Sequence, residues 1–431
     1  MNLAEIMAQI EETVKAGMEE IAAEQALEGK EQISARVGRE VGRLMLEEGL
    51  RESHRGYEGP RRQCESCGGQ QRYVGDRPRQ IETIVGTVRW KRAYYVCSGC
   101  QAVHYGGDKA LGIDRSGYSP LMQKFIAEAC SMAAFRDGLR LIGELIGAQV
   151  SLRAAEEIVR RQGGRMEEGN RQLIEKLWAG EIEGVRRRGG RMYISYDGTA
   201  VRTKDGWKEA RVAGIYWGKR QQGGRDEPEA VEYTAGVAEG WEQFGRRVYA
   251  QSQWEGIGGA EEGVVIGDGA RWVWELAEEH FPGAVQILDF YHASRHLWEA
   301  ACLIWGEGSE EGRQAVERWE RELLAGGVWE VIDELSRWAK RKRGEKREAL
   351  RRQVGYFSRN ADRMRYDEYL AAGMHIGSGV AESACRHILG RLKGAGKRWR
   401  IDTAQAVVSV LCTSKSRWRE HIWSQCLRPA A

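Results

Sequence analysis

The sequence has no long apolar run and almost no net charge over its 431 residues. No stretch approaches the roughly 18 consecutive apolar residues of a membrane-spanning helix, so we expect no membrane contact. The start, MNLAEIMAQIEETVKAG, carries early acidic residues and lacks the apolar segment of a secretory signal. These absences predict a soluble, cytoplasmic protein, and the length predicts two to four domains.

The formal net charge of +3 indicates no particular partner, but the charges are distributed unevenly. From Arg386 onward ten Lys or Arg residues stand against two acids, whereas segment 226–242 and the first fifty residues are acid-rich. This asymmetry fits a C-terminal surface that faces a polyanion, or equally a basic helix face in solvent.

Nine cysteines, an odd number in a chain without an export signal, argue against disulfides. Cys64 and Cys67 form one C-x-x-C pair, and Cys97 and Cys100 form a second after 29 intervening residues. The four thiolates can close a tetrahedral Zn²⁺ site, and the β-rich run between the pairs favours a zinc ribbon. The competing interpretation, a redox dithiol, needs one pair and a thioredoxin-like βαβ pattern that this region lacks.

The hydrophobic periodicity predicts an α/β protein whose catalytic core is preceded by helical segments and the zinc ribbon. From residue 191 the pattern gives three meandering strands and then helix, strand, helix and strand, the order of an RNase H-like core. The predicted segments are helical 1–55, zinc ribbon 56–106, helical 107–185, core 186–291, helical insertion 292–370, and the C-terminal part of the core with basic helices, 371–431.

A helix-turn-helix is one interpretation of the string FRDGLRLIGELIGAQVSLRAAEEIVRRQGG within 107–185. We expect a helix to about Ile146, a turn through Gly147, and a second helix capped by Ser151 and ended by Gly163-Gly164. Such a second helix can enter a major groove, although short helices joined by glycine occur in many proteins.

Three carboxylates are candidate metal ligands. Asp197 in ISYDGT and Asp268 in VIGDGA each follow a predicted strand and precede a glycine, which places them at the carboxyl edge of a sheet. A turn aspartate is the simpler interpretation of either one alone. Glu382 lies in the first turn of a helix predicted from about Val380 to Leu392, where a glutamate also complements the helix dipole.

These residues resemble the ISKra4-type insertion-sequence transposases of the DDE/RNase H-like superfamily. The resemblance covers nearly the whole chain, and its specific motifs are YDGT, GDGARWVW, DFYHASRHLWEA and SGVAESACRHILGRLKGAGKRW. It implies that Asp197, Asp268 and Glu382 form the DDE triad. The 113 residues between the last two acids would then include the helical insertion.

The resemblance further implies metal-dependent cleavage of insertion-sequence ends and strand transfer into target DNA, using two Mg²⁺ or Mn²⁺ ions and a structural Zn²⁺. The partners would be double-stranded DNA, as terminal inverted repeats and target, and further copies of the chain during synapsis, at the nucleoid. Two alternatives remain: an RNase H-like nuclease that joins nothing, and a non-catalytic zinc-ribbon DNA-binding protein, domesticated or inactive.

Asp289 and His292 form a D-x-x-H motif after the strand that follows Asp268. Asp289 competes with Glu382 as third ligand, but we expect it instead to hold His292 in one tautomer, so that the imidazole contacts a phosphate or the flanking strand. A histidine that merely caps a helix start is an equal alternative.

Two groups of basic residues are candidate phosphate contacts. Beside the Glu382 helix they are Arg386, Arg391, Lys393, Lys397, Arg398 and Arg400. Trp399, which lies among them, is either a base-stacking residue or a packed anchor. In the zinc ribbon they are Arg61, Arg62, Arg72, Arg77, Arg79, Arg89, Lys91 and Arg92.

Overall fold

A computed structural model describes residues 3–53, 56–181, 189–220 and 224–427. These residues form a mixed α/β protein with two β-sheets, which confirms the predicted class. Within them no helix combines the length and apolarity needed to cross a membrane. The predicted segment boundaries at 55 and 185 fall outside the described residues.

The chain divides into two compact units. Unit 1 comprises Met1–Arg165 and Glu420–Ala431, and unit 2 comprises Met166–Arg419. The helices of unit 1 are α1 (Leu3–Ala23), α2 (Leu27–Ser53), α3 (Pro120–Met132), α4 (Phe135–Ile146), the first half of α5 (Leu152–Trp178) and α15 (Arg419–Leu427). Its strands are β1 (Arg61–Gln63), β2 (Gln70–Thr83), β3 (Gly86–Cys97) and β4 (Val103–Tyr105).

The four strands of unit 1 form an antiparallel sheet in sequence order. β2 and β3 are joined by a tight hairpin in which the Thr83 hydroxyl donates to the carbonyl of Gly86. Ile81, Val88 and Trp90 bury one face of the hairpin together with Leu50 of α2. The segment between the cysteine pairs is therefore β-structure, as its composition predicted.

Within segment 135–164 the predicted turn at Gly147 is confirmed, but the prediction that the second helix ends at Gly163-Gly164 is wrong. Gly147 ends α4 in the left-handed region with φ 80°, and the Ser151 hydroxyl accepts the N–H of Ala154 at 3.2 Å. α5 then runs through Gly163-Gly164 to Trp178. Interior glycines cost a helix only about 1 kcal/mol each, and buried apolar residues at helical spacing offset that cost.

Unit 2 contains the second sheet and the remaining helices. Its strands are β5 (Arg191–Thr203), β6 (Gly206–Lys219), β7 (Glu227–Val237), β8 (Glu262–Gly267) and β9 (Val285–Leu288). Its helices are α6 (Trp241–Trp254), α7 (Arg271–His280), α8 (Phe290–Trp305), α9 (Glu310–Leu324), α10 (Val328–Arg341), α11 (Gly344–Asn360), α12 (Tyr366–Ala371), α13 (Gly379–His387) and α14 (Ile401–Lys415). Short 3-10 turns cover Ile257–Gly259, Ala361–Arg363 and Leu389–Leu392.

The five-stranded sheet has the order β7-β6-β5-β8-β9. β5, β6 and β7 form an antiparallel meander, while β8 and β9 run parallel to β5. β-Branched and aromatic residues of β5 and β8 are fully buried, as in strands covered on both faces. The same hydrophobic core continues into the helical segment through Trp319, Leu335 and Phe357.

Candidate functional site

The four cysteines of the two C-x-x-C pairs come together in unit 1. Their sulfur atoms all lie within 4.8 Å of one another, with Cys64 3.7 Å from Cys100 and Cys67 3.6 Å from Cys97. A tetrahedral zinc site with bonds of about 2.3 Å requires sulfur separations of roughly 3.8 Å. This four-cysteine cluster can therefore hold a structural metal such as zinc.

The backbone prepares both pairs in the same way. Cys64 follows β1 and Cys97 ends β3. Each carbonyl accepts an N–H from a residue in left-handed conformation, Gly68 (φ 72°) or Gln101 (φ 57°). Burial raises the pKa of the Cys64 thiol, but N–H groups of the turn outweigh burial and lower that pKa to about 6. Stabilised thiolates are the form in which cysteine binds a metal.

A row of aspartates crosses the carboxyl edge of the sheet in unit 2. Parallel pairing aligns Ser195 of β5 with Ile266 of β8, and Ile266 with Ile287 of β9. Two positions further along the chain in each case stand Asp197, still within β5, and Asp268 and Asp289, directly after β8 and β9. The sheet register thus brings all three to one edge, which we call the acid row.

Asp197 occupies a different place in its strand than the sequence suggested. It lies in the middle of β5 and pairs with Val212, because the β5–β6 hairpin continues to Thr203 after the neighbouring β8 has ended. Burial raises the pKa of Asp197, and the charge of Asp268 adds to that effect. Hydrogen bonds from the Cys385 thiol and the Gly198 N–H, at 2.7 Å for Gly198, oppose it.

Asp268 follows β8 directly and is held by its own turn. One carboxylate oxygen accepts the N–H of Ala270 at 2.9 Å, and the backbone carbonyl accepts the hydroxyl of Tyr356 at 2.9 Å. The intervening Gly269 has φ 93°, and a Cβ there would stand 2.9 Å from the Tyr356 ring. Glycine is therefore required for this approach of helix α11 to the acid row.

Asp289 is only 2% exposed and is saturated with protein donors. It caps α8 by accepting the N–H groups of Tyr291 (2.7 Å) and His292 (3.4 Å), and its second oxygen lies 3.3 Å from His292 Nδ1. That oxygen also accepts the N–H (3.1 Å) and hydroxyl of Ser378. Asp289 therefore ties the start of α8 to the residue preceding the Glu382 helix.

The Asp289–His292 contact shifts both groups toward their charged forms. The hydrogen bond that His292 donates to Asp289 raises the pKa of His292 despite burial. Burial raises the pKa of Asp289, but donors from His292 and Ser378 outweigh it and lower that pKa. The negative charge of Asp268 also favours the imidazolium, which places His292 within the electrostatic reach of the acid row.

Glu382 and the aspartates do not form a group whose ligand atoms all lie within 4.8 Å of one another. Its side chain is 54% exposed and pairs with Arg386 at 3.2 Å. Within the described residues, the cysteine cluster is the single group of three or more candidate ligands whose ligand atoms all lie within 4.8 Å of one another. Yet α13 packs on β5 and β6, and Cys385, one turn after Glu382, reaches Asp197.

The candidate phosphate-contacting residues of the C-terminal region lie at the end of α13 and in the segment after it, where Trp399 pairs with Thr203 at the end of β5. Trp399 exchanges backbone hydrogen bonds with Arg202 and Lys204, and its indole N–H donates to the Leu392 carbonyl at 2.9 Å. These contacts favour the packed-anchor interpretation of Trp399. Arg391 lies over its ring, Lys397 donates to a carbonyl, Arg386 and Arg400 form ion pairs, and Lys393 and Arg398 are exposed.

The zinc-ribbon arginines are not equivalent. Arg92 is buried against Asp108 and the Tyr105 ring, and Arg62 pairs with Glu58 and Glu65, so neither is available for phosphate. The basic residues that remain exposed on the sheet are Arg61, Arg72, Arg77, Arg89 and Lys91.

Sequence reasoning missed three residues that touch the acid row: Ser378, Cys385 and Tyr356. Ser378 lies in a Gly-Ser-Gly sequence directly before α13, and this position was a usable signal. Cys385 follows Glu382 by three residues and so shares its helix face. Tyr356 comes from the helical segment, and no local pattern links it to Asp268.

One family model matches most of the chain. A family model described as an uncharacterised protein family, UPF0236, matches residues 22–425. A search of curated proteins finds no match. Because the family match spans both units and nearly every element, the chain belongs to the uncharacterised protein family UPF0236.

Proposed function

We propose that unit 2 is an RNase H-like core and that the protein is a DDE transposase of the ISKra4 type. The observation that carries the proposal is the acid row, in which parallel register aligns Asp197 with Asp268 at the carboxyl edge of the sheet. The sheet order, three antiparallel strands followed by two parallel to the first, is the one expected of such a core. The family is associated with transposase-like proteins in general.

The acid row fits divalent cations. Asp197 and Asp268 are close enough for one charge to raise the pKa of the other, and a bound cation would relieve that repulsion. Carboxylate oxygens are the ligands that Mg²⁺ and Mn²⁺ prefer. Two such ions would lower the pKa of the attacking water or hydroxyl and stabilise the leaving oxygen of a phosphodiester.

Glu382 is the third ligand in this proposal, and its exposed side chain would have to turn from Arg386 toward the row. Its ion pair with Arg386 joins two exposed groups in an i,i+4 relation, worth about 0.3–0.5 kcal/mol. A cation held by the two aspartates would outweigh that contact. Asp289 stays outside the ligand set because its oxygens already accept protein donors.

The remaining residues orient the DNA. Asp289 holds Nδ1 of His292, so the imidazole, with its raised pKa, presents Nε2 as a donor to a phosphate of the bound strand. The exposed basic residues after α13 and on the zinc ribbon contact further phosphates of the element end. In this proposal, further copies of the chain bring two element ends together at the nucleoid.

End cleavage tests the chemistry. Asp268→Asn should abolish Mg²⁺-dependent cleavage of an insertion-sequence end, while Asp205→Asn, in the exposed β5–β6 turn, should leave it intact. Undiminished cleavage by Asp268→Asn would refute the proposal.

Joining separates the transposase from its alternatives. A pre-cleaved end with a free 3′ hydroxyl should give strand-transfer products into a target plasmid. Cleavage without such products identifies a nuclease, and end binding without cleavage identifies a DNA-binding protein.

A further inference from the structure

One face of α8 carries two exposed aromatic rings with an arginine between them. Tyr291 is 65% exposed, Trp298 is 43% exposed, and Arg295 lies in solvent between them along the helix. At about 100° per residue the three side chains fall within an arc of roughly 60° and span about 10 Å of helix axis. We call these three residues the α8 stripe.

The guanidinium of Arg295 supplies the positive charge of the stripe. Arg295 forms no ion pair with any described residue, whereas Arg313 and Arg318 on the neighbouring helix α9 are paired with glutamates. The nearest acid of the same helix, Glu299, accepts Gln353 at 3.0 Å and lies 3.7 Å from His296. The stripe therefore presents a positive charge between two rings.

The stripe begins at the acid row. Tyr291 is two residues after Asp289, whose carboxylate accepts its N–H, and His292 faces the row from the same turn. Because α8 begins at the row and leads away from it, the stripe lies on one path open to a strand whose phosphate is at the row. Continuity with the candidate active site makes the stripe more than a scattered set of exposed apolar residues, which are common on protein surfaces.

We propose that the α8 stripe binds unpaired nucleotides of the DNA strand that leaves the acid row, an inference that rests on the proposed function. The rings of Tyr291 and Trp298 stack on bases, and Arg295 contacts the intervening phosphate. About 10 Å of helix axis corresponds to roughly three base steps of about 3.4 Å, so the stripe matches a short single-stranded segment. Stacking on bases needs no sequence preference.

Binding to two matched probes tests this inference on the full chain. The probes are a duplex with a single-stranded oligo-dT extension and the same duplex with a blunt end. Trp298→Ala should weaken binding of the extended probe roughly 5- to 150-fold, the loss of one stack, and leave the blunt probe unchanged. Trp298→Phe should restore most of the affinity.

Trp329 provides the matched control, since it is a 58% exposed tryptophan near the start of α10. Trp329→Ala should bind both probes like the unaltered protein, and Arg295→Ala should lower the salt slope for the extended probe by about one. Equal weakening of both probes by Trp298→Ala, equal effects of Trp298→Ala and Trp329→Ala, or no effect, would overturn the proposal.

The two sets of variants separate a failure of this inference from a failure of the proposed function. If Asp268→Asn loses cleavage but Trp298→Ala retains binding of the extension, the stripe alone is wrong. If the protein cleaves nothing but requires Trp298 for the extended probe, the stripe remains and the chemistry is wrong.

Discussion

Asp289→Asn tests whether this buried carboxylate is a positioning group rather than a metal ligand. The asparagine oxygen can still cap α8, because asparagine is a good N-cap residue. Its amide nitrogen, however, faces the N–H and hydroxyl of Ser378 and cannot accept either bond. Each hydrogen bond to a charged group contributes about 1.5 kcal/mol or more, so we expect the free energy of unfolding to fall by about 3 kcal/mol.

The substitution also changes the pH dependence of stability. The lowered pKa of Asp289 gives stability that is present above its unfolded value of 3.8 and is lost as pH falls through the folded pKa. The raised pKa of His292 gives stability that is complete below 6.5 and is lost as pH rises through the folded pKa. Asp289→Asn should flatten both limbs of the curve.

Urea unfolding at several pH values, with Mg²⁺-induced stabilisation measured in parallel, decides between the two roles. Ser378→Ala, which removes only the hydroxyl, should cost about 1.5 kcal/mol and serves as the partial variant. An Asp289→Asn variant that loses less than about 1 kcal/mol while its Mg²⁺ response disappears would make Asp289 a metal ligand and refute the reasoning.

Three further substitutions probe the metal cluster, a buried acid and the turn beside Asp268. Cys97→Ser should abolish binding of one zinc per chain by elemental analysis and lower the melting temperature, whereas Cys302→Ser, an exposed thiol outside the cluster, should not. Burial raises the pKa of Glu232 from 4.5 to about 7, so folded stability falls as pH rises through that window, and Glu232→Gln should remove the slope in urea titrations. Gly269→Ala should cost roughly 1–2 kcal/mol of left-handed strain and displace Tyr356, reducing end cleavage, while Gly308→Ala, left-handed with open space around it, should cost only the strain.

The sequence predicted the parts of the fold that local pattern determines. Paired cysteines at short spacing and a β-rich run between them specified the cluster of unit 1. In unit 2, the apolar strands that end directly before Asp268 and Asp289 predicted that both acids lie at the edge of a sheet, because a buried strand followed by a carboxylate and a turn is typical of that edge. Both cases depend on residues close together in the chain.

What the sequence did not predict depends on packing between distant segments. Asp197 was expected at a strand end, but the length of β5 is determined by its pairing with β6, not by the Asp-Gly pair. Gly163-Gly164 was expected to end α5, but the helix continues because its buried face supports it. Tyr356 and Ser378 approach the acid row only in the folded protein.

The position of Glu382 follows from contacts at both ends of α13. Ser378 binds Asp289 immediately before the helix, and Cys385 hydrogen-bonds Asp197 near its other end. Two contacts with the acid row, one on each side of Glu382, fix both the distance of the helix from the sheet and its rotation about its axis. If Glu382 is the third ligand, as proposed, its carboxylate has to leave only the weak, exposed pair with Arg386.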